Sequence, residues 1–248
     1  MITKLKRFFK LLKSIKRRFR YDQEYDEDGL ISIHNHEFVK EKKFVKAYKK
    51  GIIANNGVDY HFRWRVRVAL WCAQQALKLE GDFMELGVWS GFLTSAICEY
   101  FDWNSQKRNF YLFDTWHGID STLLTKEEVE KNRIKKNEWI YNKDIFTSVK
   151  DNFAAYPSVK LIKGSLPASL AEVEIGEIAY LSIDLNNITP EIESVKILWK
   201  NVVKGGVVLL DDFGYHGYEP QYEGWREWAR LQNIDILPLP TGQGIIIK

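Results

Sequence analysis

Short apolar runs recur along this chain, and four of them end on an acid. Glu85 closes the run in GDFMELGVWSG, Asp114 that in NFYLFDTW, Asp184 that in IAYLSID, and Asp211–Asp212 that in GGVVLLDD. Runs of this length, bounded by glycine or polar turns, predict buried strands. Amphipathic segments of helical spacing separate them, so the order alternates β and α, and the expected fold class is α/β around a mostly parallel sheet. In such a sheet ligands bind beyond the carboxyl ends of the strands. Carboxylates at successive strand ends therefore line one rim.

The same pattern places the elements. Residues 37–50 predict a short helix with Phe38, Phe44, Val45 and Tyr48 as its apolar positions, and residues 59–79 a longer one along Phe62, Val66, Leu70 and Ala73. Strands are expected at Phe83–Leu86, Phe110–Asp114, Val159–Ile162, Ile178–Asp184 and Val207–Leu210. Helices are expected from the Gly87–Gly91 turn to Tyr100, over 144–155, over 190–203 with Gly205–Gly206 as its stop, and over 220–232, with a weak one at 167–173. IDILPLP and GIIIK alternate like two antiparallel edge strands. The acidic YDQEYDEDG reads as a loop. The charged stretch 124–143 breaks the β/α rhythm and reads as a helical insertion over the rim, a candidate lid. The chain thus divides into a basic segment at 1–20, a linker with a short helix at 21–58, and one α/β domain at 59–248.

Charge adds one feature. The net charge of +3 does not imply a nucleic-acid partner, but residues 1–20 are basic and contain no acid. Ile2, Leu5, Phe9, Leu12, Ile15 and Phe19 recur there at helical spacing, which predicts a basic amphipathic helix. Such a helix lies on an anionic membrane surface, docks to a partner, or packs on its own domain. No apolar run is long enough to span a bilayer, and lysines and arginines interrupt any signal-peptide core. The expected location is cytoplasmic, peripheral to the inner face of a membrane. Cys72 and Cys98 fall in apolar helical segments and are expected as buried free thiols. A homo-oligomer is compatible with this pattern.

ELGVWSG is E-x-G-x-x-x-G, distinct from the dinucleotide fingerprint G-x-G-x-x-G. Its glycines let backbone approach a ligand, and Asp114 on the following strand can accept both hydroxyls of a ribose. Together with FYLFDTWHGI, YLSIDLNN and KGGVVLLDDFGY, this motif resembles the macrocin O-methyltransferase (TylF-like) family of class I methyltransferases, over residues 59–248. The resemblance implies a Rossmann-like fold: a mostly parallel seven-stranded sheet, helices on both faces, and an antiparallel C-terminal edge. It implies S-adenosylmethionine as methyl donor, with Glu85, Gly87, Ser90 and Gly91 around its methionine part. Asp114 would hold the ribose, with Trp116 nearby, and Gly164–Ser165 would lie near the adenine. The acceptor would be a hydroxyl of a sugar or glycan, with a divalent metal held by carboxylates.

Asp184, Asp211 and Asp212 offer only oxygen ligands, which suits Mg²⁺, Ca²⁺ or Mn²⁺ and argues against zinc. A cation would relieve their mutual repulsion and could take neighbouring acceptor hydroxyls as ligands. Asp184 is thus both a metal ligand and a catalytic candidate. The chain departs from the family at Asn186, where sugar methyltransferases carry an aspartate that acts as general base; an amide cannot take a proton at neutral pH. His216 is the nearest alternative, His117 a second. Trp89, Trp116 and Tyr215 are candidates to stack on ligand, Tyr218 and Tyr222 to line the acceptor pocket, and Trp225 and Trp228 to fill the core. Two other functions remain open: methylation of a catechol-like phenol, and a non-catalytic cofactor-binding scaffold.

Overall fold

Every residue of one strand, Ile178–Ile183, is buried, and that strand lies at the middle of a seven-stranded sheet. The structure, a computed structural model, describes residues 25–137 and 145–248. In chain order the elements are β1 (Tyr25–Glu27), β2 (Leu30–Ser32), α1 (Lys42–Ala54), α2 (Arg63–Ala76), β3 (Asp82–Leu86), α3 (Phe92–Phe101), β4 (Phe110–Asp114), α4 (Lys126–Glu130) and α5 (Arg133–Asn137). They continue with α6 (Phe146–Phe153), β5 (Val159–Lys163), β6 (Ile178–Ile183), α7 (Ile188–Leu198), β7 (Val202–Leu210), α8 (Glu219–Gln232), β8 (Leu237–Pro238) and β9 (Gly244–Ile247).

The sheet order is β5-β4-β3-β6-β7-β9-β8. The first five strands are parallel, and β9 and β8 close the edge antiparallel, as expected from the tail. From β3 the chain steps outward through β4 to β5, then returns to lay β6 on the other side of β3. The strand order reverses at β3 and β6, which opens a crevice at their carboxyl ends. One apolar cluster joins α1, α2, α3 and α6 to one face of the sheet; a second joins α7 and α8 to the other. Among the described residues no helix is long and apolar enough to cross a membrane.

Four expectations change. The stretch 21–58 is not a linker where it is described: Phe38, Phe44, Ala47 and Tyr48 are buried in the first cluster. α1 lies so close to α3 that a Cβ at Gly51 would come 2.5 Å from the Phe92 ring. From Tyr25 on, the acidic stretch is not a loop but the first arm of the β1–β2 hairpin, turning at Asp28 and Gly29 with φ of 50° and 72°, the positive pair that tight hairpins require. α7 stops at Leu198, and Gly205–Gly206 lie inside β7 rather than after the helix. There the ladder jumps from Ile178–Val202 to Tyr180–Val207, so residues 203–206 bulge out of register. The insertion forms two short helices, α4 and α5; its remainder, 138–143, and the basic segment 1–20 lie outside the described residues.

Candidate functional site

Gly87 follows β3 with φ of 84°, and a Cβ there would sit 1.8 Å from the backbone oxygen of Asp184. Only glycine lets the loops after β3 and β6 meet in this way. Beside the junction is a small open cleft lined by Gly87, Asp114, Asp120, Ser165, Asp184 and Asn187 among others.

Asp114 ties the glycine turn to its own strand. Its Oδ2 accepts the backbone N–H groups of Val88 at 2.7 Å and Trp89 at 2.8 Å, and Oδ1 accepts that of Trp116 at 2.6 Å. The carboxylate therefore orders the turn while facing the cleft. Ser165 also lines the cleft, its hydroxyl donating to Asp120 Oδ2 at 2.7 Å. Gly91 caps α3 with φ of 78°. Ser90 is buried in the turn, and its carbonyl accepts from Asn152 Nδ2 at 3.2 Å.

Two expected contacts lie deeper than the sequence suggested. Trp116 is 2 % exposed; its indole N–H donates to Trp89 O at 2.9 Å, and its ring packs 4.6 Å from Phe146. It braces the turn from beneath rather than offering a face to the cleft. Glu85 is buried under the same turn and accepts a hydrogen bond from the Thr94 hydroxyl. Burial, then the charges of Asp211 and Asp114, hold its carboxyl well above the usual range.

The second half of the site is acidic. Asp184, after β6, and Asp211 and Asp212, after β7, bring one carboxylate oxygen each to within 4.8 Å of one another. The adjacency follows from the register, since Ile183 pairs with Leu210.

The chain matches the model of the macrocin O-methyltransferase (TylF) family over residues 66–237. It belongs to that family. This methyltransferase is also similar in fold to the O-methyltransferase NovP, at 18% identity and a TM-score of 0.66, covering 81% of this chain and 88% of that one. It resembles CalS11, a calicheamicin methyltransferase, at 17% identity and a TM-score of 0.61, covering 86% and 94%. A third similar structure is the S-adenosylhomocysteine-bound PaMTH1 of Podospora anserina, at 16% identity and a TM-score of 0.50, covering 83% and 87%. No curated protein sequence matches the chain. Membership makes it an S-adenosylmethionine-dependent O-methyltransferase with a Rossmann-like fold.

In the methyltransferase the acidic groups do not share one environment. Asp211 is held at both oxygens: Oδ2 pairs with the Arg65 guanidinium, and Oδ1 accepts Gln243 Nε2 at 2.9 Å. Arg65 Nε donates to Asp28 Oδ2 at 2.7 Å, and the Tyr215 ring covers the guanidinium at 4.4 Å. Burial works against the Arg65 charge, but Asp211, Asp212 and Asp28 outweigh it and raise its pKa. Burial, reinforced by Asp211, pushes Asp212 up to about 7. Burial and the charges of Asp211 and Asp212 hold Asp184 well above the usual carboxylate range, against the pull of Arg65.

Asn186, with φ of 62°, donates Nδ2 to Asp184 Oδ1 at 3.2 Å and accepts the Tyr218 hydroxyl at 2.6 Å. The insertion reaches the same corner. Arg133 of α5 stacks on the Tyr218 ring at 3.7 Å and donates to Gly217 O at 3.1 Å, and Lys131 pairs with Glu219 at 2.7 Å. His216 is exposed on the loop between Tyr215 and Tyr218, and His117 is exposed as well. Tyr222 is 40 % exposed and packs on Phe213, whereas Trp225 and Trp228 fill the core as expected. Sequence reasoning missed Asp28, Arg65, Glu128 and Gln243. Only Asp28 left a trace, as the first residue of an Asp-Gly turn.

Proposed function

We propose that this methyltransferase transfers the donor's methyl group to a hydroxyl of a saccharide, with a divalent cation at Asp184, Asp211 and Asp212. The observation that carries the reading is the three-carboxylate cluster within 4.8 Å, reached from the same strand ends as the cleft. The donor set fits a hard cation: it is all oxygen, and two of its members resist ionising together without one. When bound, the cation supplies Lewis-acid activation of an acceptor hydroxyl, and S-adenosylmethionine supplies an electrophilic methyl group. The protein's own part is orientation. Asp114 holds the glycine turn in shape, Gly87 lets the two halves of the site touch, and the insertion borders the acceptor corner. Bound S-adenosylmethionine would supply its methyl group by displacement at carbon, with sulfur as the leaving group that keeps the electron pair. Asn186 cannot take the hydroxyl proton; the exposed His216 and His117 are the side-chain candidates for it, with bulk solvent as the alternative.

A saccharide acceptor is supported by the family and by CalS11, described as a TDP-rhamnose 3'-O-methyltransferase. The test is turnover of labelled S-adenosylmethionine with Mg²⁺ against a panel of sugar nucleotides and catechols. Labelled sugar, lost on chelation, supports the reading. Labelled catechol only, or turnover indifferent to chelator, overturns it. The basic pattern of residues 1–20 supports a further proposal, attachment to an anionic membrane surface. Equal pelleting with anionic vesicles after removal of those residues would end it.

A further inference from the structure

Asn186 occupies the position where the resemblance calls for a base, yet its amide is held on both sides. A tyrosine hydroxyl lies 2.6 Å from Oδ1, and a carboxylate oxygen of Asp184 lies 3.2 Å from Nδ2. An amide oxygen only accepts and an amide nitrogen only donates. Turned over, the amide would set its oxygen against an ionised Asp184 carboxylate, so with Asp184 in the charged form that a cation requires a single orientation satisfies both neighbours. Burial, then the charge of Asp212, raises the Tyr218 hydroxyl above the ordinary tyrosine range, so it stays a proton donor. Arg133, stacked on the ring and bonded to Gly217 O, fixes the tyrosine from the insertion side.

We infer that Tyr218 is a positioning residue that locks Asn186 as a one-way hydrogen-bond donor to Asp184, replacing a proton-accepting position with one that orients a metal ligand. The inference rests on the metal-assisted reading for its consequence, though not for its geometry. A fixed N–H donor favours the charged carboxylate that a cation requires, and partners of this kind set ligand orientation and basicity. The relay also links the insertion to the acidic cluster: Arg133, Tyr218, Asn186 and Asp184 touch in sequence.

The experiment has two arms on the full-length protein. In the first, without metal, the side-chain amide of Asn186 is observed by NMR with ¹⁵N-labelled asparagine, assigned by its loss in Asn186→Leu. Tyr218→Phe removes one hydroxyl and is expected to shift these signals and abolish their protection from solvent exchange. Unchanged signals overturn the relay. In the second arm Mn²⁺ alone is titrated calorimetrically. Tyr218→Phe and Asn186→Leu are each expected to weaken binding by about 10- to 100-fold. The double variant should bind no worse than Asn186→Leu, and S-adenosylmethionine affinity should hold in all three, confirming that the fold is intact. Additive losses, or wild-type Mn²⁺ affinity in Tyr218→Phe, overturn the relay. A wild type that binds no Mn²⁺ overturns the metal reading instead, and the NMR arm then decides the relay alone.

Discussion

Arg65 and Asp211, 146 residues apart in the chain, form an ion pair beneath the acidic rim. Asp28, from the hairpin, holds the same guanidinium at 2.7 Å. One cation therefore offsets a cluster of carboxylates that otherwise face each other within 4.8 Å. Removing one partner of such a pair strands buried charge, at a cost on the order of 3–5 kcal/mol. Arg65→Gln should melt well below wild type in chelator and, on the proposed metal reading, gain more from added Mg²⁺ than wild type does, because a cation at the cluster would then supply the missing charge. Equal Mg²⁺-induced shifts in differential scanning fluorimetry would show that the guanidinium and the metal do not act on the same groups.

Asp114 accepts three backbone N–H groups, from Val88, Trp89 and Trp116. Hydrogen bonds to a charged acceptor contribute roughly 1.5–3 kcal/mol each. Asp114→Ala should therefore loosen the turn beside the cleft, and, if the carboxylate also takes the donor's ribose, donor affinity should fall more than about tenfold. Calorimetry with S-adenosylmethionine checks this, and wild-type affinity in the variant would remove Asp114 from the donor site.

The architecture was legible because it is written in local patterns. Phe110–Asp114 matched to the residue, and β6 fell one residue short of its expected end, because buried parallel strands are unbroken apolar runs. Asp184, Asp211 and Asp212 were legible for the same reason, each sitting where such a run stops. Arg65 was not, because its partners come from a hairpin and from a strand far along the chain, and RWRVRV shows only a charged helix start. The depth of Trp116, 2 % exposed at a φ of 47°, was not legible, because no local pattern encodes such a turn. Gly205–Gly206 looked like a helix stop, but only pairing with β6 reveals a bulge there.

Glu191, on α7, is buried and accepts the Trp225 indole N–H at 2.7 Å. Burial pushes its carboxyl up to about 8, against the pull of that hydrogen bond. Between the ordinary carboxylate value and about 8 the native state keeps a proton that the unfolded chain has released, so native stability falls as pH rises through this window. Asp212, pushed to about 7, acts with the same sign. Metal-free protein should lose urea resistance between about pH 5 and about pH 9, and Glu191→Gln should flatten part of that loss. An unchanged slope in the variant would mean that Glu191 ionises freely in the fold.

Glu128 decides whether the insertion acts as a lid. It is fully buried, and its two oxygens face different elements. Oε2 accepts the backbone N–H of Thr125 at 2.8 Å, closing the cap of α4, while Oε1 accepts the backbone N–H of Ile188 at 2.8 Å, at the start of α7. An acid is favoured at a helix start by the unpaired N–H groups and the dipole there. One carboxylate thus fastens the insertion to the helix that follows Asp184. Glu128→Ala should release that fastening: proteolysis within 126–137 should accelerate, and KM for the acceptor should rise, while donor affinity stays at the wild-type value because Asp114 and the glycine turn are untouched. Faster cleavage with an unaltered acceptor KM would show an insertion that is docked but takes no part in holding the acceptor, and the lid would be withdrawn.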